Sequence, residues 1–185
     1  MKQLDVENVT LVGWSFGCLT VWEYFKQYGY ENIKSAVLVD MPPKSLSVHS
    51  DDWVEGTLDD IAAIYTSHLR NPQGQRAFIT DYINQVMIQR EVKQEELNWL
   101  VEQLLKTPYY IAANVFASGM FSDYRDETHS LSNSVPTLTV VAEHWADTAS
   151  SYIKKVSPES KIEVLGGHMM FWEHADQFNE MLASF

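Results

Sequence analysis

The sequence predicts an α/β fold in which helices flank a parallel sheet. Short apolar runs rich in β-branched residues alternate with amphipathic segments, and turn residues separate them. Strands that alternate with helices form a parallel sheet through right-handed crossovers. We expect strands of this sheet at residues 8–12, 35–39, 137–142 and 161–165.

The first two strands are bounded by clear turn signals. Residues 8–12 (N-V-T-L-V) lead into the turn G-W-S-F-G at residues 13–17, and a helical pattern follows that Gly29 can end. The second strand is closed by Asp40 and by the helix-breaking pair at residues 42–43. This alternation defines residues 1–44 as the first part of the sheet domain.

Residues 45–134 are predicted to form a helical cap. Thr57 can cap its first helix, and residues 107–108 (T-P) open a later helix that ends at Gly119. The segment 132–136 is predicted to be the linker to the third strand. Because the insertion begins where a strand ends, we place it at the carboxyl edge of the sheet. Residues 135–185 complete the sheet domain, with one long final helix after the last strand.

Composition narrows the classes of function. The formal net charge of −12 argues against binding to nucleic acid or to anionic lipid. A single cysteine excludes an internal disulfide and a C-x-x-C metal site. The sequence shows no signal peptide and no apolar run long enough to span a bilayer, so we expect a cytoplasmic protein with a small-molecule substrate.

The turn at residues 13–17 carries the strongest chemical signal. It matches G-x-S-x-G between a buried strand and an amphipathic helix, which is the context of a nucleophile elbow with Ser15 at its tip. The backbone N–H of Phe16 would then face the oxyanion. A serine hydroxyl needs a base, and G-G-H at residues 166–168 places His168 in a loop between the last strand and the last helix. His168, Glu173 and His174 fit no zinc motif, and we expect neither a metal nor a cofactor.

The order of these elements resembles the α/β-hydrolase superfamily from its fifth strand onward, over nearly the whole chain. The tail G-G-H-M-M-F-W-E-H-A-D-Q-F-N is similar to the base loop and final helix of small esterases and cofactor-free haloperoxidase-like members. The resemblance implies that Ser15 is the nucleophile and His168 the general base. It leaves two aspartates for the acid: Asp147, near the usual place after the seventh strand, and Asp40, after the sixth. We rank Asp147 just ahead of Asp40.

The resemblance also implies that strands are missing before residue 8. The loop that supplies a second oxyanion N–H in the family has no counterpart here. The strand at residues 8–12 would become a sheet edge, which predicts pairing with another copy or with a separately supplied half. We therefore expect a truncated gene product or a natural short form.

The predicted reaction is hydrolysis of a small ester or related acyl substrate through a Ser-His-Asp triad and an acyl-enzyme. Trp14, Met41 and Trp172 are the predicted substrate-binding residues. One alternative is a cofactor-free oxygenase or perhydrolase on the same scaffold. A second alternative is a fragment with impaired or no catalysis, because a fold alone does not guarantee activity.

Overall fold

The structure, a computed structural model, describes residues 6–185 and contains a parallel sheet flanked by helices. The predicted fold class is confirmed. The strands lie in the order β1-β2-β3-β4, and each pairs in parallel with its neighbour. Their bounds are β1 Val9–Trp14, β2 Ile33–Val39, β3 Thr137–Val141 and β4 Lys161–Val164.

Burial explains why these runs form strands. Every residue of β3 is buried, as expected of a central strand covered by helices on both faces. In contrast β1 lies at an edge, where β2 is its partner within residues 6–185 and 52% of Val12 is exposed. The pairing of this edge with another copy stays a prediction.

Helices cover both faces of the sheet. Ala36 and Leu38 of β2 pack with Trp22 and Leu131 on one face. Val37 and Val39 point to the opposite face and pack with Phe178. The helices of the first face are α1 Phe16–Tyr28, α6 Arg125–Ser134 and α7 Ala146–Val156, and those of the second face are α8 Met170–Glu173 and α9 Ala175–Ser184.

The predicted cap forms a group of helices that follows β2. Thr57 caps the first of them as predicted, because its hydroxyl accepts from the Asp60 N–H and its own N–H donates to the Asp60 carboxylate. A π-helical turn, Ile83–Met87, extends the second helix of the cap at its C-terminal end. The cap helices are α2 Leu58–His68, α3 Pro72–Tyr82, α4 Gln94–Leu104 and α5 Tyr109–Met120.

The chain returns from the cap to the sheet domain where residues 123–124 pair with residues 43–44, a connection that we call the neck. Lys44 and Asp123 form an antiparallel bridge there, and the Tyr124 N–H donates to Pro43 O over 2.7 Å. Helix α6 follows this neck and packs against α1, so the predicted linker is wrong for residues 132–134, which are helical. The buried side chain of Leu131 overrides the weak helix propensity of the serines around it.

The predicted single final helix is also corrected. His174 adopts φ −127° and ψ 47°, outside the helical region, and separates the short α8 from α9. Among the described residues, no helix combines the length and the apolar character needed to cross a bilayer.

Candidate active site

Ser15 lies in a strained turn at the carboxyl end of β1. Its backbone has φ 50° and ψ −129°, a conformation that residues with a Cβ rarely adopt. The Ser15 N–H donates to Val39 O over 2.9 Å, which ties the turn to the end of β2. Half-buried Ser15 thus occupies the tip of a strand–turn–helix unit, as a nucleophile elbow requires.

Close packing of strand and helix in this unit depends on Gly13. A Cβ on Gly13 would lie 2.8 Å from Cys18 Cα, closer than van der Waals contact permits. A Cβ on Gly17 would meet no atom within 4 Å. Only the first glycine of the G-x-S-x-G pattern is therefore required by packing within the described chain.

Phe16 is the first residue of α1. Its backbone N–H therefore has no acceptor within the helix, and the positive end of the helix dipole adds to its field. The side chain points away toward α5, where a Cβ on Gly119 would lie 2.7 Å from Phe16 Cζ. Only the backbone of Phe16 is thus available to an oxyanion.

The structure brings His168 and Asp40 together. His168 Nδ1 lies 2.7 Å from Asp40 Oδ2, and both side chains are buried. The other oxygen, Oδ1, accepts from the Ala142 N–H over 2.9 Å. With both oxygens engaged, the carboxylate is fixed in orientation and holds the proton of His168 on Nδ1. The second nitrogen, Nε2, has no hydrogen-bond partner between residues 6 and 185, which leaves it available to accept a proton.

Asp147, the acid that we ranked first, is not part of this arrangement. It lies exposed in the first turn of α7, beyond the turn Glu143–Trp145 that follows β3. That turn carries Asp147 away from the strand end, and the His168 Nδ1 position is taken by Asp40. The structure thus supports the second-ranked aspartate as the partner of His168.

Aromatic side chains surround His168. The indole N–H of Trp14 donates to His168 O over 2.7 Å, and the two ring centroids are 5.2 Å apart. Tyr82 of the cap packs edge-on against the imidazole at 5.9 Å. The Met169 N–H donates to Met87 O of the π-helical turn over 2.8 Å. The cap therefore holds the loop of His168 directly, and Trp14 lies beside His168. A role of Trp14 in substrate binding stays a prediction.

The other two predicted substrate-binding residues lie elsewhere, which corrects the prediction for both. The chain turns at Asp40, where φ is 48°, and the Met41 side chain is buried in the core cluster that faces α1. It has no free surface with which to line a pocket. Trp172 stacks on Trp99 at 5.8 Å and donates to Glu96 Oε1, so it joins the tail to α4 on the outside of the cap.

Glu55 is an acidic residue that the sequence analysis did not single out, and the charges of His168 and Asp40 act on its carboxyl. Burial raises the pKa of its carboxyl; the charge of His168 opposes this and that of Asp40 adds to it. Tyr82 is affected in turn, because burial and the charges of Glu55 and Asp40 raise the pKa of its hydroxyl. Glu55 lies in a loop with no motif, and nothing in the sequence separates it from the other acidic residues.

Within residues 6–185, no three His, Cys, Asp or Glu side chains are grouped as a metal site would need.

Comparisons with known proteins agree with this fold. A family model described as the alpha/beta hydrolase fold matches residues 1–77. A Synechocystis protein named "Putative non-heme chloroperoxidase" is 27% identical over 211 residues, covering 100% of this chain and 69% of the relative. Residues 1–77 thus match the α/β-hydrolase fold family, which is the family that the sequence resembles.

Solved structures show the same fold. A bromoperoxidase from Bacillus anthracis superimposes with a TM-score of 0.84 at 19% identity, over 98% of this chain and 68% of its own. An esterase from Exiguobacterium antarcticum superimposes with a TM-score of 0.81 at 20% identity, over 99% of this chain and 68% of its own. The structural neighbours thus include an esterase and a haloperoxidase, which are the two kinds of protein to which the C-terminal segment of the sequence is similar.

Proposed function

We propose that this chain carries the site of a serine hydrolase that acts on a small ester. Ser15 is the nucleophile, His168 the general base and Asp40 the acid. The observation that carries the proposal is the buried pair of His168 and Asp40, at the same edge of the sheet as the strained Ser15 turn. A strained serine and an oriented imidazole at one sheet edge are the components that acyl transfer needs.

The steps of ester hydrolysis follow from the chemistry of Ser15, His168 and Asp40. His168 Nε2 takes the proton of the Ser15 hydroxyl while the oxygen attacks the ester carbonyl. Asp40 keeps the other ring proton on Nδ1 and stabilises the imidazolium that forms. His168 then returns its proton to the departing alkoxide, which leaves an acyl group on Ser15. Water, deprotonated by the same imidazole, hydrolyses this acyl-enzyme and restores the hydroxyl.

The Phe16 N–H is the oxyanion donor that the described residues supply in this proposal. A single oxyanion donor contributes about 10²–10³ in rate in hydrolases that have been studied by mutation. The half-buried aromatic rings of Trp14, Tyr82 and Phe171 give the site mostly apolar walls. These walls favour a small apolar acyl group.

A second candidate is perhydrolysis, which the names of the chloroperoxidase and bromoperoxidase relatives favour. In this reaction hydrogen peroxide replaces water as the second nucleophile. It attacks the acyl-enzyme, the Ser15 ester bond breaks, and a peracid leaves while the hydroxyl is restored. The same three residues serve both reactions, so the two candidates differ only in which nucleophile reaches the acyl-enzyme.

A fluorophosphonate probe tests the proposal on the whole chain. We expect one adduct by intact mass, at Ser15 by peptide mapping, and its loss in His168→Ala. The matched control is His49→Ala, because His49 is exposed in a loop and should label normally. A folded chain that takes up no probe would contradict the proposal and favour the non-catalytic alternative. Adding acetate and peroxide to the labelling-competent chain and measuring peracid separates the two reactions.

A further inference from the structure

Trp14, the residue before the proposed nucleophile, is hydrogen-bonded to the proposed base. Its indole N–H donates to the backbone carbonyl oxygen of His168 over 2.7 Å, although 154 positions separate the two residues. Within residues 6–185, this is the one hydrogen bond that the backbone of His168 makes. Because Trp14 directly precedes Ser15, the indole links the turn of Ser15 to the loop of His168.

The Trp14 indole is held by packing on two sides. Alternate side chains of a strand point to opposite faces of the sheet, and Trp14 points to the face that α8 and α9 cover. There it packs with Met170 and lies edge-on to Phe171 at 4.9 Å. On its other side it contacts the cluster of the cap that includes Met87 and Met169. Packing in both clusters restricts rotation of the indole, which fixes its N–H relative to the end of β1.

The contact of His168 with Asp40 does not fix the distance from the imidazole to Ser15. Asp40 follows β2 and binds Nδ1, so it sets the orientation and the tautomer of the ring. The loop that carries His168, residues 165–169, follows β4, and β4 does not adjoin β1 in the sheet. Within the described chain, the Trp14 N–H is the hydrogen bond that joins this loop to the turn at residues 13–17.

The distance between Ser15 and His168 matters for the proposed reaction. Transfer of the hydroxyl proton requires the Ser15 oxygen and His168 Nε2 to lie within hydrogen-bond reach. A misplacement of about 1 Å can cost about 10²-fold in rate, even when the change that causes it lies away from the reacting atoms. Loss of the Trp14 bond releases the loop of His168 from β1 and leaves the contact between His168 and Asp40 in place.

We propose that Trp14 is a positioning residue, whose indole N–H holds His168 at the correct distance from Ser15 through the His168 carbonyl oxygen. This inference rests on the proposed function, because it concerns the transfer of the Ser15 proton. It gives the N–H of Trp14 a role that is separate from any contact of its ring with substrate. Asp40 then orients the base from β2, and Trp14 places it from β1.

A substitution that removes only the N–H tests the inference. Trp14→3-benzothienyl-L-alanine, introduced into the whole chain at an amber codon, has sulfur where tryptophan has the indole N–H. The side chain keeps nearly the shape of tryptophan but donates no hydrogen bond. We expect the rate constant for fluorophosphonate modification of Ser15, measured by intact mass, to fall by about tenfold to 100-fold. Trp14→Phe also removes the N–H and should lose at least as much.

Trp172→3-benzothienyl-L-alanine is the matched control. The Trp172 indole N–H also donates to a single acceptor, Glu96 Oε1, over 2.8 Å. This bond lies on the outside of the cap, where Trp172 stacks on Trp99. The same atom is exchanged and the same kind of bond is lost, but the backbone of His168 keeps its donor. The labelling rate should stay within about twofold of that of the unmodified chain.

Two further readouts separate positioning from substrate binding and from a general loss of structure. The loss of rate should be the same for fluorophosphonates with an ethyl tail and with an octyl tail, because a lost contact between ring and substrate would act mainly on the longer tail. A low-field proton NMR signal of His168 Nδ1–H, which is bonded to Asp40, should persist in the Trp14 variant. A structural collapse of the site would abolish this signal.

Each outcome supports or overturns the inference. Labelling of the Trp14→3-benzothienyl-L-alanine chain at the rate of the unmodified chain would overturn it and leave the serine hydrolase intact. A loss confined to the octyl probe, an equal loss in the Trp172 variant, or disappearance of the Nδ1–H signal would also overturn it. An unmodified chain that takes up neither probe would instead overturn the proposed function, and with it the reaction for which Trp14 positions His168.

Discussion

Asp40 Oδ2 and His168 Nδ1 lie 2.7 Å apart although 128 positions separate the two residues in the sequence. The parallel sheet makes this contact, because Asp40 follows β2 and His168 follows β4 by a short loop. The strand between them, β3, adds the Ala142 N–H that fixes the second carboxylate oxygen. The ends of three neighbouring strands thus supply the proposed base, its carboxylate partner and the N–H that supports that partner.

This arrangement predicts that Asp40→Asn is nearly inactive. The carboxamide oxygen can still accept from the Ala142 N–H, but the amide N–H₂ cannot accept the ring proton of His168. The imidazole is then free to take the wrong tautomer, which costs about 10⁴-fold in kcat in a comparable triad. The measurement is ester turnover or the rate of fluorophosphonate labelling, with folding checked by circular dichroism.

Asp147→Asn is the paired variant, because it makes the same change on an exposed aspartate of α7. We expect its activity to stay within about twofold of the unmodified chain, as is usual for a surface substitution. The reverse pattern, an inactive Asp147 variant and an active Asp40 variant, would refute Asp40 as the triad acid.

The strained backbone at Ser15 predicts an effect on stability. A residue with a Cβ held at φ 50° and ψ −129° costs of order 1–3 kcal/mol, whereas glycine adopts this conformation without that cost. Part of the gain is offset by the larger entropy of glycine in the unfolded chain. Ser15→Gly should therefore raise the free energy of unfolding by about 1 kcal/mol relative to Ser15→Ala.

Urea denaturation of Ser15→Gly and Ser15→Ala measures this difference in the free energy of unfolding. Neither variant has the Ser15 hydroxyl, so loss of that group cancels in the comparison. Ser15→Ala keeps the Cβ, so it controls for loss of the hydroxyl alone. If Ser15→Gly proved no more stable than Ser15→Ala, the turn would not be strained.

The sequence predicted the local features of the site better than it predicted the tertiary contacts between the site residues. Ser15 could be found because strand, turn and helix signals lie within one short segment. Asp40 and Asp147 could not be separated, because each follows a buried strand. What removes Asp147 from His168 is the turn Glu143–Trp145, and the sequence does not reveal the path of that turn. Glu55 carries no local signal; its position depends on the contact of Trp53 with β3 and α7.

The predictions for Met41 and Trp172 also failed because they depend on tertiary contacts. Proximity in sequence suggested Met41 as a pocket residue, but the turn at Asp40 directs its side chain into the core. Trp172 follows His168 closely, and yet its partners Trp99 and Glu96 belong to a distant cap helix. Neither a turn with positive φ at a non-glycine residue nor a contact between the cap and the tail can be derived from hydrophobic periodicity.

The two glycines of the elbow predict opposite effects on stability. Gly13→Ala places a methyl group 2.8 Å from the Cys18 backbone, which cannot move without displacing α1. We expect a loss of about 3 kcal/mol, at the upper end of the cost of overpacking. Gly17→Ala introduces a methyl group into open space within a helix and should stabilise the chain by up to about 1 kcal/mol.

Thermal or urea denaturation of the two variants gives the comparison directly, because the substitution is identical and the positions are four residues apart. A Gly17→Ala variant that is as unstable as Gly13→Ala would show that something covers Gly17 in the folded protein. A Gly13→Ala variant that is as stable as the unmodified chain would contradict the close approach of β1 and α1.

The thiol of Cys18 should be unreactive in the folded chain although it lies near Ser15 in sequence. Burial raises its pKa far above the ordinary value, an effect much larger than that of its hydrogen bond to the Val39 carbonyl. The Sγ–H also donates to Gly13 O over 3.1 Å, and the side chain is fully buried. A thiol that is neither ionised nor accessible does not react with disulfide reagents. Ellman's reagent should therefore modify no thiol in native buffer and one thiol per chain in denaturant. Because Cys18 is the sole cysteine, fast modification under native conditions would mean that α1 separates from β1 and that the elbow is not the rigid unit described here.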